Sequence, residues 1–464
     1  MEEKIYLYYT NDLHSNFAQW PRVTEYIKQA RKKHQVANEP NYVFDIGDHV
    51  DRMHPITEAF RGKGNISLLN DAGYDFVTLG NNEGITLSHN ELFHLYDEAN
   101  FQVLCANLHS TAEQSPSWLQ PTVRIQTNQG VRIGIIGLTA PFNDYYHLLD
   151  WHISDPFASL ETYIADLKQS SDIIVLLSHL GISEDQEIAR RFKDVDVILG
   201  GHTHHLLRTG EAVNQAIITA AGKHCYYIGE VILTWEHQEQ KLVKKEAYTT
   251  DISDYPMNTQ TEERLNELQV ESNRILAKPV VTIEEPIEVN WFKTTTIMQR
   301  LTEKVHQATN ADCAMFNSGL LLDGFQAGTI TYGDVHSVCP HPINPCMVEL
   351  SGAELLEVIR ATYTAEFIDL ELKGFGFRGK VIGNMVFSGI QVETGQHRQG
   401  HTYVETVQVN GSPIIPTKLY NVVTADTFTF GRMLPEIAKS EKKRYILPAF
   451  IRDYLAETLQ EHYG

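Results

Sequence analysis

For about 235 residues the chain alternates short apolar runs with amphipathic stretches, and that rhythm restricts it to an α/β layer architecture. Runs at 4–9, 42–46, 76–79, 103–106, 131–137, 173–178, 195–199 and 216–219 read as strands. Helical stretches fit between several of them, at 23–33, 91–100 and 159–169. At 464 residues the chain exceeds one ordinary core, and the pattern changes after residue 250. Thr259 and Glu262 have the spacing of a capping box, Leu265, Leu268 and Ile275 follow, and Pro279 closes the segment. The expected organisation is a first domain over 1–250, a connecting helix within 251–279, and a second, smaller α/β domain over 280–464.

Polar clusters sit directly after five of the predicted strands, where open α/β sheets hold their ligands. They are Asn11-Asp12-Leu13-His14, Gly47-Asp48, Gly80-Asn81, Ser178-His179 and Gly200-Gly201-His202-Thr203-His204. Taken singly, a Gly-Asp or a lone strand-end histidine is an ordinary turn or packing feature. Five in one ordered series point to metal. Asp12, His14, Asp48 and His204 can form one ligand set, and Asp48, Asn81, His179 and His202 a second. Asp48 bridges, because a carboxylate has two oxygens to offer. Carboxylate, amide oxygen and imidazole together suit two divalent ions drawn from Mn, Fe, Zn or Co, and the set has too much nitrogen for Ca. Two such ions about 3.5–4 Å apart activate a shared water for in-line attack on phosphorus. A protein nucleophile is not required, and the chain has no GxSxG elbow.

Charge narrows the substrate. Asp and Glu outnumber Lys and Arg 59 to 38, for a formal charge of −21. Such a field repels nucleic-acid polymers, whereas a small anion can be drawn in by bound cations. The five cysteines (Cys105, Cys225, Cys313, Cys339 and Cys346) are scattered without a CxxC. The start, Met1-Glu2-Glu3-Lys4, has no leader pattern, and no apolar run reaches the ~18–20 residues of a membrane span. A cytoplasmic protein, monomeric or homodimeric, without a membrane partner, is the expectation.

The ordered series resembles the calcineurin-type metallophosphoesterases. Ser178-His179-Leu180-Gly181, Asn317-Ser318-Gly319 and Gly328-Thr329-Ile330-Thr331 are similar to the 5′-nucleotidase family, which includes bacterial enzymes that also open 2′,3′-cyclic nucleotides and cleave UDP-sugars. The resemblance spans essentially the whole chain. It implies a four-layer αββα sandwich, followed by a 5′-nucleotidase C-terminal-like domain that holds the nucleoside and swings relative to the first.

It also exposes departures. The family's third segment usually reads GNHEFD, with its His against the reacting phosphate and its Asp holding that His; here it is Gly80-Asn81-Asn82-Glu83-Gly84-Ile85. Asn82 donates a hydrogen bond but cannot act as a general acid. His54 is the candidate that compensates, alongside Asp48, Asn81 and Asn82 as catalytic groups. In the second domain Asn317 keeps the family pattern, Leu322 stands where an Arg usually grips phosphate, and His341 stands where an aromatic usually stacks on the base. Phe428 matches the second stacking position. The resulting expectation is hydrolysis of phosphate esters of a nucleotide or nucleotide-like molecule. The alternatives are a nucleotide-sugar or dinucleotide pyrophosphatase and a weakened, ligand-binding relative.

Overall fold

A computed structural model describes residues 1–111, 115–372, 374–396, 402–431 and 433–464. The chain forms two compact units, Met1–Ser272 and Asn273–Gly464.

The first unit is built on two sheets. One has the strand order Lys241–Asp251, Tyr227–Glu236, Glu2–Thr10, Asn41–Asp45, Phe76–Val77, Gln102–Leu104, Leu119–Gln120. The other runs Glu211–Val213, Ala216–Ala220, Val197–Gly200, Ile173–His179, Arg132–Thr139, Thr122–Gln126. The two-residue period of a strand decides what each face meets. Ile173, Val175 and Leu177 join Ile5, Leu7, Tyr9 and Phe44 in one core between the sheets. Ile174 and Leu176 point the other way, into a second core with Leu160 and Leu167 of the helix Pro156–Ser170 and Ile188 of the helix Ile182–Arg191. On the far side of the first sheet lies the helix Trp20–Ala37, where the Tyr8 hydroxyl meets His34 Nε2 at 2.7 Å. Helix, sheet, sheet, helix is the expected four-layer αββα sandwich.

Two local expectations change. The helix expected over 91–100 is only His89–Phe93. Three-residue turns (Leu95 N–H to Leu92 O, Ala99 N–H to Tyr96 O) then bring Leu92, Leu95 and Tyr96 to the interior without a regular helix. The connecting helix is Thr259–Leu276, capped one residue earlier than the sequence suggested: Asn258 Oδ1 accepts the Thr261 N–H at 3.2 Å. The division between the two units falls inside this helix.

The second unit centres on a mixed five-stranded sheet, ordered Met385–Ser388, Cys313–Asn317, Leu419–Ala425, Pro345–Ser351, Lys443–Tyr445. The helices Thr296–Thr309, Gly352–Thr362 and Ile451–Tyr463 accompany it, with a three-stranded sheet of Ile390–Gln396, Thr402–Val409 and Ser412–Pro413. No helix among the described residues is long and apolar enough to cross a membrane.

Candidate metal centre

The strand Glu2–Thr10 pairs in parallel with Asn41–Asp45, which pairs in parallel with Phe76–Val77. Ile173–His179 pairs in parallel with Val197–Gly200. Their carboxyl ends therefore open at one edge of each sheet, and the loops leaving them meet. Backbone bonds fix the meeting: Asp12 N–H to Gly47 O at 3.0 Å and His14 N–H to Asp48 O at 2.8 Å. The contact is so close that a Cβ on Gly47 would lie 2.2 Å from Gly80 N, and one on Gly80 would lie 2.1 Å from Asp48 Oδ1. Only glycine lets these two loops touch.

Seven residues were singled out as ligands, and five of them (Asp12, His14, Asp48, His202 and His204) have positive φ, between 49° and 69°. Left-handed backbone is uncommon for residues with a Cβ, and its concentration in one place is the strain expected of a functional site.

The side chains converge. Asp12, His14 and His204 present ligand atoms all within 4.8 Å of one another, as do Asp12, Asp48 and His179. His14 Nε2 is 3.0 Å from His204 Nε2 and 3.7 Å from both Asp12 Oδ1 and Asp48 Oδ2. His179 Nε2 is 3.4 Å from Asp48 Oδ2. Asn81 Oδ1 meets His202 Nδ1 at 2.8 Å, and the His202 N–H donates to Asp12 Oδ2 at 3.0 Å. The His204 side chain, 34 % exposed, marks the open side of the cluster.

A cation fits here on the donors' own terms. His179 Nδ1 donates to the Ile46 carbonyl at 2.6 Å, which fixes the ring and aims Nε2 at the carboxylates. That Nε2 is buried without a hydrogen-bond partner. An orphaned imidazole nitrogen against two buried carboxylates is a ligand set waiting for a positive charge.

The electrostatics describe the same need. Burial would raise Asp12 and Asp48, but the surrounding histidines outweigh it and hold both carboxyls below the usual range. Burial would lower His179, yet Asp48 and Asp12 outweigh it and push the imidazole up to about 10. Burial and His179 instead bring His202 down to about 4. Burial would lower His14 as well, but Asp51, Asp48 and Asp12 outweigh it and raise its imidazole.

Glu83 escaped the sequence reading. It is buried beneath the cluster and accepts N–H bonds from Asp48 (3.0 Å), Val50 (2.8 Å) and Gly80 (2.9 Å), stapling the Asp48 loop to the Asn81 loop. Burial, then the Asp48 charge, raises its carboxyl to about 7. Its place in Asn81-Asn82-Glu83 was the available signal. Asn82 lies beside the cluster, its N–H donating to Asp48 Oδ1 at 2.7 Å and its amide nitrogen 2.9 Å from His14 Nδ1. His54 is placed as a helix cap: its Nδ1 accepts the Ile56 N–H at 3.2 Å, and its ring stands edge-on to Phe17.

These features match a known family. Residues 6–206 fit the calcineurin-like phosphoesterase family, and residues 279–433 fit the 5′-nucleotidase C-terminal domain. The chain is 40% identical to the uncharacterized metallophosphoesterase YunD of Bacillus subtilis, over 99% of this chain and 100% of that one. It belongs to the calcineurin-like metallophosphoesterases that carry a 5′-nucleotidase C-terminal domain. A 5′-nucleotidase of Vibrio parahaemolyticus is 25% identical over 78% of this chain and 75% of its own. In fold, the Haemophilus influenzae NAD nucleotidase is similar at a TM-score of 0.69 and 16% identity, covering 100% of this chain and 97% of that one. In this metallophosphoesterase the buried Asp/His cluster is the metal-binding centre.

The second unit treats its singled-out residues differently. Asn317 is buried, with its amide donating to Ile382 O at 2.9 Å. His341 is 0 % exposed: Nε2 meets the Leu320 carbonyl at 3.0 Å, Nδ1 accepts the Arg378 N–H at 2.9 Å, and the ring stacks on Phe377. Burial, then Arg378, lowers this imidazole to about 3. Phe428 is also 0 % exposed and packs against Phe367. Neither ring, as placed, offers a face to a ligand. An aromatic pair the sequence reading passed over does: Phe375, 50 % exposed, lies parallel to the partly exposed Phe430 with centroids 6.1 Å apart.

Proposed function

We propose that this metallophosphoesterase hydrolyses phosphate esters of a nucleotide or nucleotide-like small molecule, using two divalent ions. In this reading Asp12, His14, Asp48 and His204 would hold one ion and Asp48, Asn81, His179 and His202 the other, with Asp48 shared between them. The observation that carries it is the orphaned, buried His179 Nε2 set against the carboxylates of the cluster formed by Asp12, Asp48, His14 and His204. Ions bound there supply Lewis acidity and neutralise charge growing on the phosphoryl oxygens. The chain's own groups orient. Glu83 keeps the two loops in register, the Asn82 backbone N–H holds Asp48 Oδ1, and the Asn82 side-chain amide nitrogen meets His14 Nδ1 at 2.9 Å, which steadies that ring. Mn, Fe, Zn and Co all suit this donor set. For the base of the substrate we assign the Phe375–Phe430 pair, because stacking needs an exposed aromatic face.

A second reading, pyrophosphate cleavage in a dinucleotide or nucleotide-sugar, is favoured by Asn82. An amide in place of an acid is tolerated better when the leaving group is itself a phosphate, which departs with less proton assistance.

The test is to strip the protein with chelator and restore Mn, Zn, Co or Fe. Hydrolysis of bis-p-nitrophenyl phosphate, p-nitrophenyl phosphate, a nucleoside 5′-monophosphate and a dinucleotide is then followed, with Asp48→Asn as control. Metal-dependent turnover that vanishes in the variant is expected. Release of inorganic phosphate supports the monoesterase; release of nucleoside monophosphate from the dinucleotide supports the second reading. Two bound ions with no turnover on any ester would overturn both.

A further inference from the structure

A phosphomonoester hydrolase must also deal with the oxygen that leaves. The basic alkoxide of a sugar ester departs far faster when a positioned donor meets it. Most protic side chains around the cluster are already occupied. His14, His179 and His204 gather around Asp12 and Asp48, His202 Nδ1 meets Asn81 Oδ1 at 2.8 Å, Asp51 faces His14 Nδ1 at 3.6 Å, and His54 caps a helix. His205 Nδ1 is bonded to the Thr203 hydroxyl at 2.9 Å. One imidazole differs.

His224 lies in the loop Ala221-Gly222-Lys223-His224-Cys225, after the strand Ala216–Ala220. Both neighbouring ligand loops pin this segment. Asn11 accepts the Ala221 N–H at 3.0 Å and donates to Gly222 O at 2.7 Å. The Gly222 N–H donates to His205 O at 2.9 Å, and the His224 N–H donates to Asp12 O at 2.8 Å. The His224 ring thereby stands edge-on to His14, with centroids 6.1 Å apart at 87°. It is partly exposed, and neither of its ring nitrogens is hydrogen-bonded to any described residue.

The backbone argues against a packing role. His224 and Cys225 occupy the left-handed region in succession, at φ 58° and 51°. Glycine or asparagine would hold that conformation at less cost, and a ring without hydrogen bonds at a half-open rim does little to offset it. A strained, pinned, unbonded imidazole beside the metal ligands is the signature of a group kept for a ligand.

We propose that His224 is a catalytic residue of this centre, donating its imidazole N–H to the ester oxygen that leaves. The inference rests on the hydrolase reading above. In the step, water oxygen bonds to phosphorus and the phosphorus–ester oxygen bond breaks. The electron pair stays on the departing oxygen, which is stabilised by the N–H and takes its proton from solvent. Ester plus water becomes alcohol plus phosphate, and His224 ends as it began.

The experiment compares wild type, His224→Asn and His224→Gln, all metal-loaded, on p-nitrophenyl phosphate and phenyl phosphate. These esters share the transferred group and differ in the basicity of the leaving oxygen. With His224→Asn, kcat on phenyl phosphate is expected to fall about 10²-fold. On p-nitrophenyl phosphate, whose leaving group needs little help, the loss is a few-fold, and Gln recovers part of the phenyl phosphate rate. Two readings apart from activity accompany this. Bound metal by elemental analysis stays at the wild-type value, and the thermal midpoint of the metal-free His224→Asn protein is unchanged or higher, since Asn suits φ 58°. Equal losses on the two esters, or loss of metal, would assign His224 a structural role and overturn the proposal. Undiminished turnover in the variant would overturn it while leaving the hydrolase reading intact. A wild type inactive with every metal would overturn the hydrolase reading itself, and this inference with it.

Discussion

In the first unit, residues picked from four separate strand ends arrive within a few ångströms of one another, and Asn81 of a fifth meets His202 at 2.8 Å. In the second unit, Asn317 and His341 turn into the interior and spend their polar atoms on Ile382, Leu320 and Arg378, while Phe428 packs against Phe367. The difference lies in what each chemistry requires. A metal ligand has to carry a donor atom, here Asp, Asn or His at the end of a strand, and buried charges are retained where they are paired or coordinate an ion. A stacking platform is only an aromatic ring, and the same ring serves equally well as core. The metal centre therefore leaves a mark in sequence order, while the base platform leaves a mark only in exposure.

That contrast can be broken by mutation. Asp48→Asn should lower metal-dependent turnover on the order of 10³-fold, because a neutral amide removes the shared negative oxygen of the cluster. Steady-state assays of reloaded protein check this, and a loss under tenfold would detach Asp48 from the chemistry. Phe428→Ala should destabilise the protein by about 3–5 kcal/mol, the usual cost of emptying a buried phenylalanine site. Turnover of the fraction that remains folded should stay near wild type. Urea unfolding beside kinetics separates these effects, and a kcat loss without destabilisation would return Phe428 to the substrate.

Glu83→Gln sharpens the comparison inside the metal unit. Gln offers one carbonyl where the carboxylate accepts three N–H bonds, so metal affinity should weaken about 10–100-fold while the fold survives. Competition with a fluorescent chelator measures it, and wild-type affinity would reduce Glu83 to a packing residue. Phe375→Ala tests the platform that the second unit does expose. Loss of one stacking face should raise KM for a nucleotide roughly tenfold and leave KM for p-nitrophenyl phosphate unchanged.

The smallest effect is in pH. Against the pull of burial, Asp48 and Asp12 push the His179 imidazole up to about 10, so an ion bound through its Nε2 would displace a proton. Metal uptake at neutral pH should therefore liberate protons, and affinity should strengthen about tenfold per pH unit for each proton released. Calorimetry in buffers of different ionisation enthalpy reads the proton count directly. A buffer-independent heat would mean that His179 is not a ligand.

Much of this protein was legible before its structure. The alternation of strands and helices required layered α/β units, because each strand's two faces were apolar and needed covering. Asp12, His14, Asp48, His179 and His204, which the fold brings together, could be picked out in sequence order because donor chemistry admits few residue types and the strand ends supply one place to gather them. Exposure and loop contact were not legible. Glu83 reads as a surface acid until two loops close over it, and His224 reads as a stray histidine until Asn11 and Asp12 draw its loop against His14. Phe375 and Phe428 differ by nothing in their sequence neighbourhoods that predicts which becomes core. Periodicity and ligand type are local properties that one strand or loop carries by itself; burial and the company a side chain keeps depend on segments two hundred residues apart, and only the folded chain decides them.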